Sequence, residues 1–565
     1  MIDRLPRLPR LPRLCAALAP ALLAAACAFS PVPPATVELR LVAFNDFHGN
    51  LQPPPGGWVA PDPAHPGQLQ RIPAGGVAHL ATAIRELRAQ KPLSIVVGAG
   101  DLLSASPIIS SLLHDEPSVS ALAAAGLEIT SVGNHEFDRG RDELRRIVEG
   151  GCHPKGCVDG PWAGAKYRYL AANVIDTATG RHFLPPYEIR EFDGVPVAFV
   201  GAVVRGMQTL VDPRGIRGLA FLDEADAVNA LVPEIRAKGA EAIVLLIHEG
   251  GQSTGSYDDA ACPGFEGAII DIVKRLDKAV DVVVSGHTHQ AYRCRVDGRL
   301  VTSAGSYGRI VSAIDLALDR ATGELTRSEA RNVLVDPAVF PADAAIAAEV
   351  GRIAALAQAR ADRIVGRVEG EFAPLPNAAG ESNLGTLVAD AMLASARPFA
   401  GAQVALMNPG GLRAPLSSKR PDGGVSHGDL FTVQPFGNTL VTATLTGTQL
   451  LAVLEQQWRA HPDLTRILQV AGLAYTWDGT RPLGQRVDAA SVRVEGVPLR
   501  PAATYRVVMN GFLFGGGDGF AQLAQASDPV VGETDLEAFE AWIAAGVRRA
   551  GAPAGRIRRV DAPAH

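Results

Sequence analysis

The sequence predicts a layered α/β domain followed by a smaller α+β domain, the two joined by a long helix. Three observations carry this. Over residues 37–315, short runs rich in Val and Ile alternate with segments of helical periodicity. Residues 341–365 are alanine-rich, without proline after their start, and read as one helix. Beyond them, to about residue 560, helix-like and strand-like segments mix with Gly-rich loops.

In the first region the strand-like runs are VELRLVAF, PLSIVVGAG, EITSVG, VPVAFVGAV, EAIVLLI and VDVVVSG. AHLATAIRELRAQ, GRDELRRIVEG and FEGAIIDIVKRLD lie between them, with apolar residues at helical spacing. Runs this apolar belong to a sheet covered on both faces, and ligands bind at the carboxyl ends of such strands. In the second region ESNLGTLVADAM is helix-like, and AQVALMN and TLVTATL are strand-like.

A chain of 565 residues exceeds one hydrophobic core, so two or more domains are expected. Its 47% hydrophobic and 20% charged residues are an ordinary globular balance. The net charge of −6 argues against a nucleic-acid duplex or an anionic membrane as main partner. Small phosphate substrates stay open, because bound cations can supply positive charge locally.

Residues 1–28 read as an export signal: Arg4, Arg7, Arg10 and Arg13 precede an apolar run too short to span a bilayer. Cys27 follows Leu-Ala-Ala-Ala and is a candidate lipid-anchor site, with ordinary cleavage near Ala28 as the alternative. Residues 29–36 would be a linker. Export leaves Cys152, Cys157, Cys262 and Cys294 free to pair. The expected bridges are Cys152–Cys157 and Cys262–Cys294. A structural zinc site is the competing reading, disfavoured because no CxxC pair occurs.

Five strand ends run into metal-ligand residue types. They are Asn45-Asp46-Phe47-His48-Gly49, then Asp101, then Asn134-His135-Glu136-Phe137-Asp138, then His248, and His287-Thr288-His289. One such residue at a strand end is usually structural. Five clusters at successive strand ends point to a metal centre, and carboxylate, amide oxygen and imidazole together suit zinc, manganese, iron or cobalt.

The motifs DFHG, GDLLSAS, GNHEFD, a strand-end His and GHTH, in this order, resemble the calcineurin-like metallophosphoesterases, specifically their bacterial 5′-nucleotidase branch. The resemblance implies a layered β-sandwich flanked by helices. It implies that Asp46, His48 and His289 bind one metal, that Asn134, His248 and His287 bind a second, and that Asp101 bridges both. Two such ions clamp a phosphoryl group, and a metal-bridging hydroxide attacks it. His135 would stabilise transition-state charge, with Asp138 holding its imidazole. An alternative is that Asp138 caps the helix at GRDEL.

The second region resembles the 5′-nucleotidase C-terminal domain through GESNLGTLVADAM, MNPGGLR, FTVQPFGN, LEQQW and GGGDGF. The resemblance places Phe436 and Phe512 against a nucleotide base, with Asn438 nearby. Asp518 would take ribose hydroxyls, Arg413 phosphate, and Asn408 would lie in the same pocket. Some relatives carry a further phosphate-binding Arg where this chain has Gly380. His65, His79, His114, His182 and His461 have no motif support.

The expected domains are a catalytic domain at 37–335, a linker helix at 336–365 and a substrate domain at 366–560. The expected function is an exported two-metal 5′-nucleotidase of the periplasm or cell surface, with a nucleotide substrate and no obligate protein partner. Hydrolysis of nucleotide-sugars or 2′,3′-cyclic nucleotides is the nearest alternative. A catalytically silent nucleotide-binding protein is the alternative of a different class, and loss of metal ligands would be its mark.

Overall fold

In chain order the first twelve strands of interest are β1 (Thr36–Phe44), β2 (Ser94–Ala99), β3 (Ile129–Ser131), β4 (Arg168–Leu170), β5 (Tyr187–Phe192), β6 (Val195–Val203), β7 (Ala242–His248), β8 (Val280–Ser285), β9 (Ala291–Val296), β10 (Arg299–Ala304), β11 (Ile310–Asp319) and β12 (Leu325–Leu334). They form two six-stranded sheets, ordered β12-β11-β1-β2-β3-β4 and β9-β10-β8-β7-β6-β5. The computed structural model describes residues 34–61, 68–154, 156–157, 159–207, 210–211, 214–458 and 466–561. The export signal, Cys27, His65 and His461 lie outside the described residues.

Alternation along each strand explains the layering. In β1, Leu39, Leu41 and Ala43 join a core shared with Val197, Phe199, Leu246 and Val284 of the second sheet. Val42 and Phe44, on the other face, pack with residues of helices α1 (Val77–Ala89) and α2 (Glu116–Ala124). The second sheet is covered outside by α4 (Glu224–Ala237) and α5 (Ala268–Arg275), α3 being Arg141–Glu149. Both faces of both sheets are therefore buried, which is why the strands read as unbroken apolar runs.

Strands β1 to β4 lie parallel in the first sheet, as do β6, β7 and β8 in the second. Parallel strands put their carboxyl ends on one side. Phe44, Ala99, Ser131, His248 and Ser285 thus end their strands where the ligand-type residues begin.

The linking helix α6 runs over Ala344–Ala361, and the Asp343 carboxylate accepts from the Ala345 and Ile346 N–H groups. It ends four residues earlier than its composition implies. Ile364 and Val365 are β-branched, and they enter a strand, Ile364–Glu369, paired with Gly424–Ser426. Beyond it lie helix α7 (Asn383–Ala400) and strands β13 (Val404–Met407), β14 (Thr439–Thr446), β15 (Gln469–Ala471), β16 (Thr504–Asn510) and β17 (Ser527–Thr534). The strands form a sheet ordered β15-β13-β16-β14-β17. Helices α7 and α8 (Asp535–Ala544) cover one face. A separate apolar cluster, with Leu450, Trp458 and Phe520, covers the other.

Both expected disulfides are present, with Cα–Cα distances of 4.7 Å for Cys152–Cys157 and 5.4 Å for Cys262–Cys294. The second ties the loop after β7 to β9, so it joins the chain after His248 to the chain after His289. Loop-closure entropy scales with the residues enclosed, 32 against 5. Replacing Cys262 and Cys294 by Ser should cost about 3–4 kcal/mol, and replacing Cys152 and Cys157 about 2 kcal/mol. Chemical denaturation of the two double variants measures this, and the reverse ranking would contradict it.

Candidate active site

The loops that follow β1 and β2 are zipped together by their backbones. The N–H groups of Asp46, His48 and Gly49 donate to the carbonyls of Gly100, Asp101 and Leu102 at 3.0–3.1 Å. From the second sheet, the His287 N–H donates to Asp46 Oδ2 at 3.0 Å. Asp46, His48, Asp101, His287 and His289 all adopt left-handed backbone angles, with φ between 46° and 73°. Side chains seldom take that conformation, and residues held there cluster at functional sites.

Two clusters of ligand atoms result: Asp46, His48 and His289, and Asp101, His248 and His287. In the first, His48 Nε2 and His289 Nε2 stand 3.1 Å apart, and His289 Nε2 lies 3.2 Å from Asp46 Oδ1. In the second, His248 Nε2 is 2.9 Å from Asp101 Oδ2. The same oxygen is 3.6 Å from His48 Nε2, so Asp101 stands between the clusters. Its other oxygen accepts the His135 N–H at 2.9 Å.

Several features fit divalent cations here. His48 Nδ1 is bonded to the Ser104 carbonyl and His248 Nδ1 to that of Ala99, which turns each Nε2 inward, as in metal-binding histidines. The buried Asn134 Oδ1 makes no hydrogen bond. Buried polar atoms are otherwise nearly always paired, so this oxygen suits a partner that is not protein. Burial holds His48 and His287 down to about 4, leaving neutral imidazoles. Burial opposes ionisation of Asp101, but His248 and His135 outweigh it and hold its carboxyl well below the usual range.

His135 is different in kind. Its Nδ1 is bonded to Asp138 Oδ2 at 2.7 Å. Burial favours the neutral ring, yet Asp138 and Asp101 outweigh it and push His135 up to about 10. A cation is thus fixed beside the clusters without belonging to either. Asp138 does not cap the next helix: α3 begins after Gly140, with no side-chain cap.

A single cavity of about 460 Å³ joins this centre to the second lobe. His48, Asn134, His135, Asp138, His287 and His289 line one side, and Asn408, Arg413, Phe436, Asn438, Phe512 and Asp518 the other. Asp46, Asp101 and His248 lie buried beneath. Asp518 accepts from Asn408 Nδ2 at 2.9 Å and from Arg466 Nη1 at 2.7 Å, and Asn408 in turn accepts from Asn510 at 2.9 Å. The Arg413 guanidinium sits 5.7 Å from the Phe436 ring centre.

Gly380 has φ +92°, and a Cβ there would meet Ile467 at 2.5 Å. A side chain at that position, arginine included, would have to displace Ile467. The histidines without motif support stay apart from the site where described. His79 bonds the Phe340 carbonyl, His114 stacks on His153 at 3.8 Å, and His182 is exposed.

Sequence reasoning missed several residues. Glu136 is buried, and its carboxylate accepts the N–H groups of Asp101, Leu102, Leu103 and Gly133. It clamps the loops that carry Asp101 and Asn134. Tyr307 packs its ring 5.3 Å from that of His289, at φ 62°. Arg466 and Asn510 hold the Asp518–Asn408 pair. Only Glu136 lay inside a quoted motif.

A family model described as calcineurin-like phosphoesterase matches residues 39–291, and one described as 5′-nucleotidase, C-terminal domain, matches 364–525. The endonuclease YhcR of Bacillus subtilis is 32% identical, over 90% of this chain, and the chain spans 40% of its length. The cell wall protein Lmo0130 of Listeria monocytogenes is also 32% identical, with 90% of this chain and 67% of that protein covered.

The chain belongs to the 5′-nucleotidase family of calcineurin-like phosphoesterases. The crystal structure of a 5′-nucleotidase precursor from Thermus thermophilus is similar throughout, with TM-score 0.64 and 28% identity, covering 93% of this chain and all of that one. As a member of this family the chain is a metal-dependent phosphoester hydrolase. The expected architecture, a metallophosphoesterase domain followed by a separate 5′-nucleotidase C-terminal domain, is the one observed.

The tightness of the centre yields a prediction. A Cβ on Gly133 would lie 2.1 Å from Asp101 Oδ1 and 2.5 Å from its N, so Gly133→Ala must displace Asp101. Elemental analysis should find bound metal in Gly133→Ala at less than half the wild-type level. Gly351→Ala, at an open position inside α6, should keep full metal and gain about 0.5–1 kcal/mol of stability.

Proposed function

We propose that this protein is an exported 5′-nucleotidase that releases nucleoside and phosphate from nucleoside 5′-monophosphates. The observation that carries the proposal is the shared cavity. The two ligand clusters and the six residues expected to bind a nucleotide line or underlie one space. In this reading Asp46, His48 and His289 would hold one divalent ion, Asn134, His248 and His287 another, and Asp101 both. When bound, two such ions polarise phosphoryl oxygens and lower the pKa of water. Zinc, manganese, cobalt and iron all suit the donor set.

The chain's own residues do the rest. The His135 imidazolium, fixed by Asp138, stabilises negative charge on the phosphoryl or leaving oxygen as the ester bond breaks. Arg413 offers a planar fork to phosphate. Phe436 and Phe512 stack on the base, and Asp518, held by Arg466 and Asn408, accepts from the ribose hydroxyls. In this reading the catalytic domain spans 37–335, and the substrate domain begins at the strand Ile364–Glu369, two residues before the expected limit at 366.

Export is supported by the two disulfides and by likeness to a cell wall protein. No helix among the described residues is long and apolar enough to cross a membrane. We place the protein in the periplasm or at the cell surface, with Cys27 as the candidate anchor. A second reading, cleavage of phosphodiesters in nucleic acids, draws on the relative described as an endonuclease.

The deciding experiment is a phosphate-release panel of nucleoside monophosphates, cyclic nucleotides, nucleotide-sugars and oligonucleotides with defined metals. In the variant with Phe436 and Phe512 both replaced by Ala, kcat/KM for AMP should fall roughly tenfold or more. Hydrolysis of a small aryl phosphate, which has no base to stack, should change far less. Equal losses on both substrates would make the rings core residues and overturn the nucleotide reading.

A further inference from the structure

Asp115 stands just before helix α2, where an aspartate ordinarily caps the first turn. Here it does not. Its backbone takes a left-handed angle, φ 61°, and its side chain accepts nothing from the helix N–H groups. The carboxylate, 1% exposed, is turned instead toward the loop that follows Asp101.

Three groups meet it there. Ser110 Oγ donates to Oδ1 at 2.7 Å. The Ser104 N–H donates to Oδ2 at 3.3 Å, and Arg139 Nη2 stands 3.1 Å from the same oxygen. The other backbone group of Ser104 is also engaged. Its carbonyl is bonded to His48 Nδ1 at 3.0 Å, the contact that turns His48 Nε2 toward Asp46 and His289. Asp115 and His48 therefore hold one residue from opposite sides, at its N–H and at its C=O. Ser104 and Ala105 sit at left-handed angles, φ 59° and 47°, which residues other than glycine keep only where neighbours fix them. Ala105 lines the cavity.

Arg139 carries the same anchor to the next loop. It follows Asp138, whose carboxylate holds His135. One buried carboxylate thus braces the loop that orients His48 and the loop that orients His135. Asp115 itself belongs to neither ligand cluster.

Taking the two clusters as metal sites, we infer that Asp115 is a positioning residue for the first of them. Through the Ser104 peptide it fixes the His48 imidazole, and so sets the affinity of the site made by Asp46, His48 and His289. In the second cluster His248 is oriented by the Ala99 carbonyl, which Asp115 does not touch. Loss of Asp115 should therefore fall on one ion and not on both.

The test is metal binding itself: elemental analysis after dialysis against chelator-buffered zinc over a range of free concentrations, with melting followed alongside. Wild type should take up about two ions per chain. In Asp115→Ala one ion should need roughly 10–100-fold more free zinc, the range for losing a group that supports a metal-binding histidine. The other ion should bind as in wild type. Asp115→Asn keeps an oxygen for the Ser104 N–H and should restore most of the lost affinity. Ser110→Ala removes one bond that fixes the carboxylate and should weaken the same ion roughly threefold, which decides the matter even if Asp115→Ala does not fold. In a His289→Ala background, already lacking the first site, neither substitution should weaken the ion that remains.

A purely structural Asp115 would lower the melting temperature while leaving both affinities alone, or would weaken both ions together. Either result overturns the inference, as does an Asn variant as weak as the Ala variant or unchanged binding in Ser110→Ala. Wild type that binds fewer than two ions at saturation would instead overturn the two-metal reading.

Discussion

The carboxylate of Asp101 is the point at which the two sheets and the two ligand clusters meet. One oxygen is occupied by the His135 N–H, and the other stands between His48 and His248. The group is 1% exposed, with the Asp46 carboxylate and the Glu136 carboxylate close by. Three buried acids in so small a volume are accommodated by protonation or by positive charge among them, and Glu136 is itself pushed up to about 7 by burial and by Asp101. Neighbouring histidines supply part of that charge, and the proposed cations would supply more. The loops around the centre are tightly constrained. They take left-handed turns, exchange backbone hydrogen bonds, and leave no room for a side chain at Gly133.

The sandwich is the means of gathering those charges. The first sheet delivers Asp46, His48, Asp101 and Asn134 from three parallel strands, and the second delivers His248, His287 and His289 from two. Each sheet alone carries an incomplete set. The apolar interface between them, with Leu41 and Val97 facing Phe199 and Leu246, fixes how closely the two halves approach. The Cys262–Cys294 bridge acts on the same geometry from outside, by tying together the chain segments that follow His248 and His289. Stability of the core and spacing of the centre are thus one problem.

Much of this was legible in the sequence because strand ends are legible. Apolar runs stop abruptly at ligand-type residues, and the C-terminal motifs carry their aromatic and polar residues in a fixed order. All fifteen residues singled out for the site converge on one cavity or the layer beneath it. What could not be read acts through the backbone or through register. Glu136 serves four N–H groups, which no side-chain pattern announces. Arg466 reaches Asp518 from 52 positions away, and Asp115 meets Ser104 only through its N–H. The end of the linking helix departs from composition for a related reason. Composition favours continuing the helix through residue 365, but a strand partner at Gly424–Ser426 claims Ile364 and Gly366.

The central claim is that one buried carboxylate organises two metal sites, and the metal content of Asp101→Asn tests it most directly. The substitution keeps the shape of the side chain while removing its charge. Wild-type protein should carry about two divalent ions per chain, as two-metal phosphoesterases do. Folded Asp101→Asn, its melting checked alongside, should carry fewer than one and lose nearly all turnover. Retention of two ions per chain with near-wild-type turnover would contradict the account.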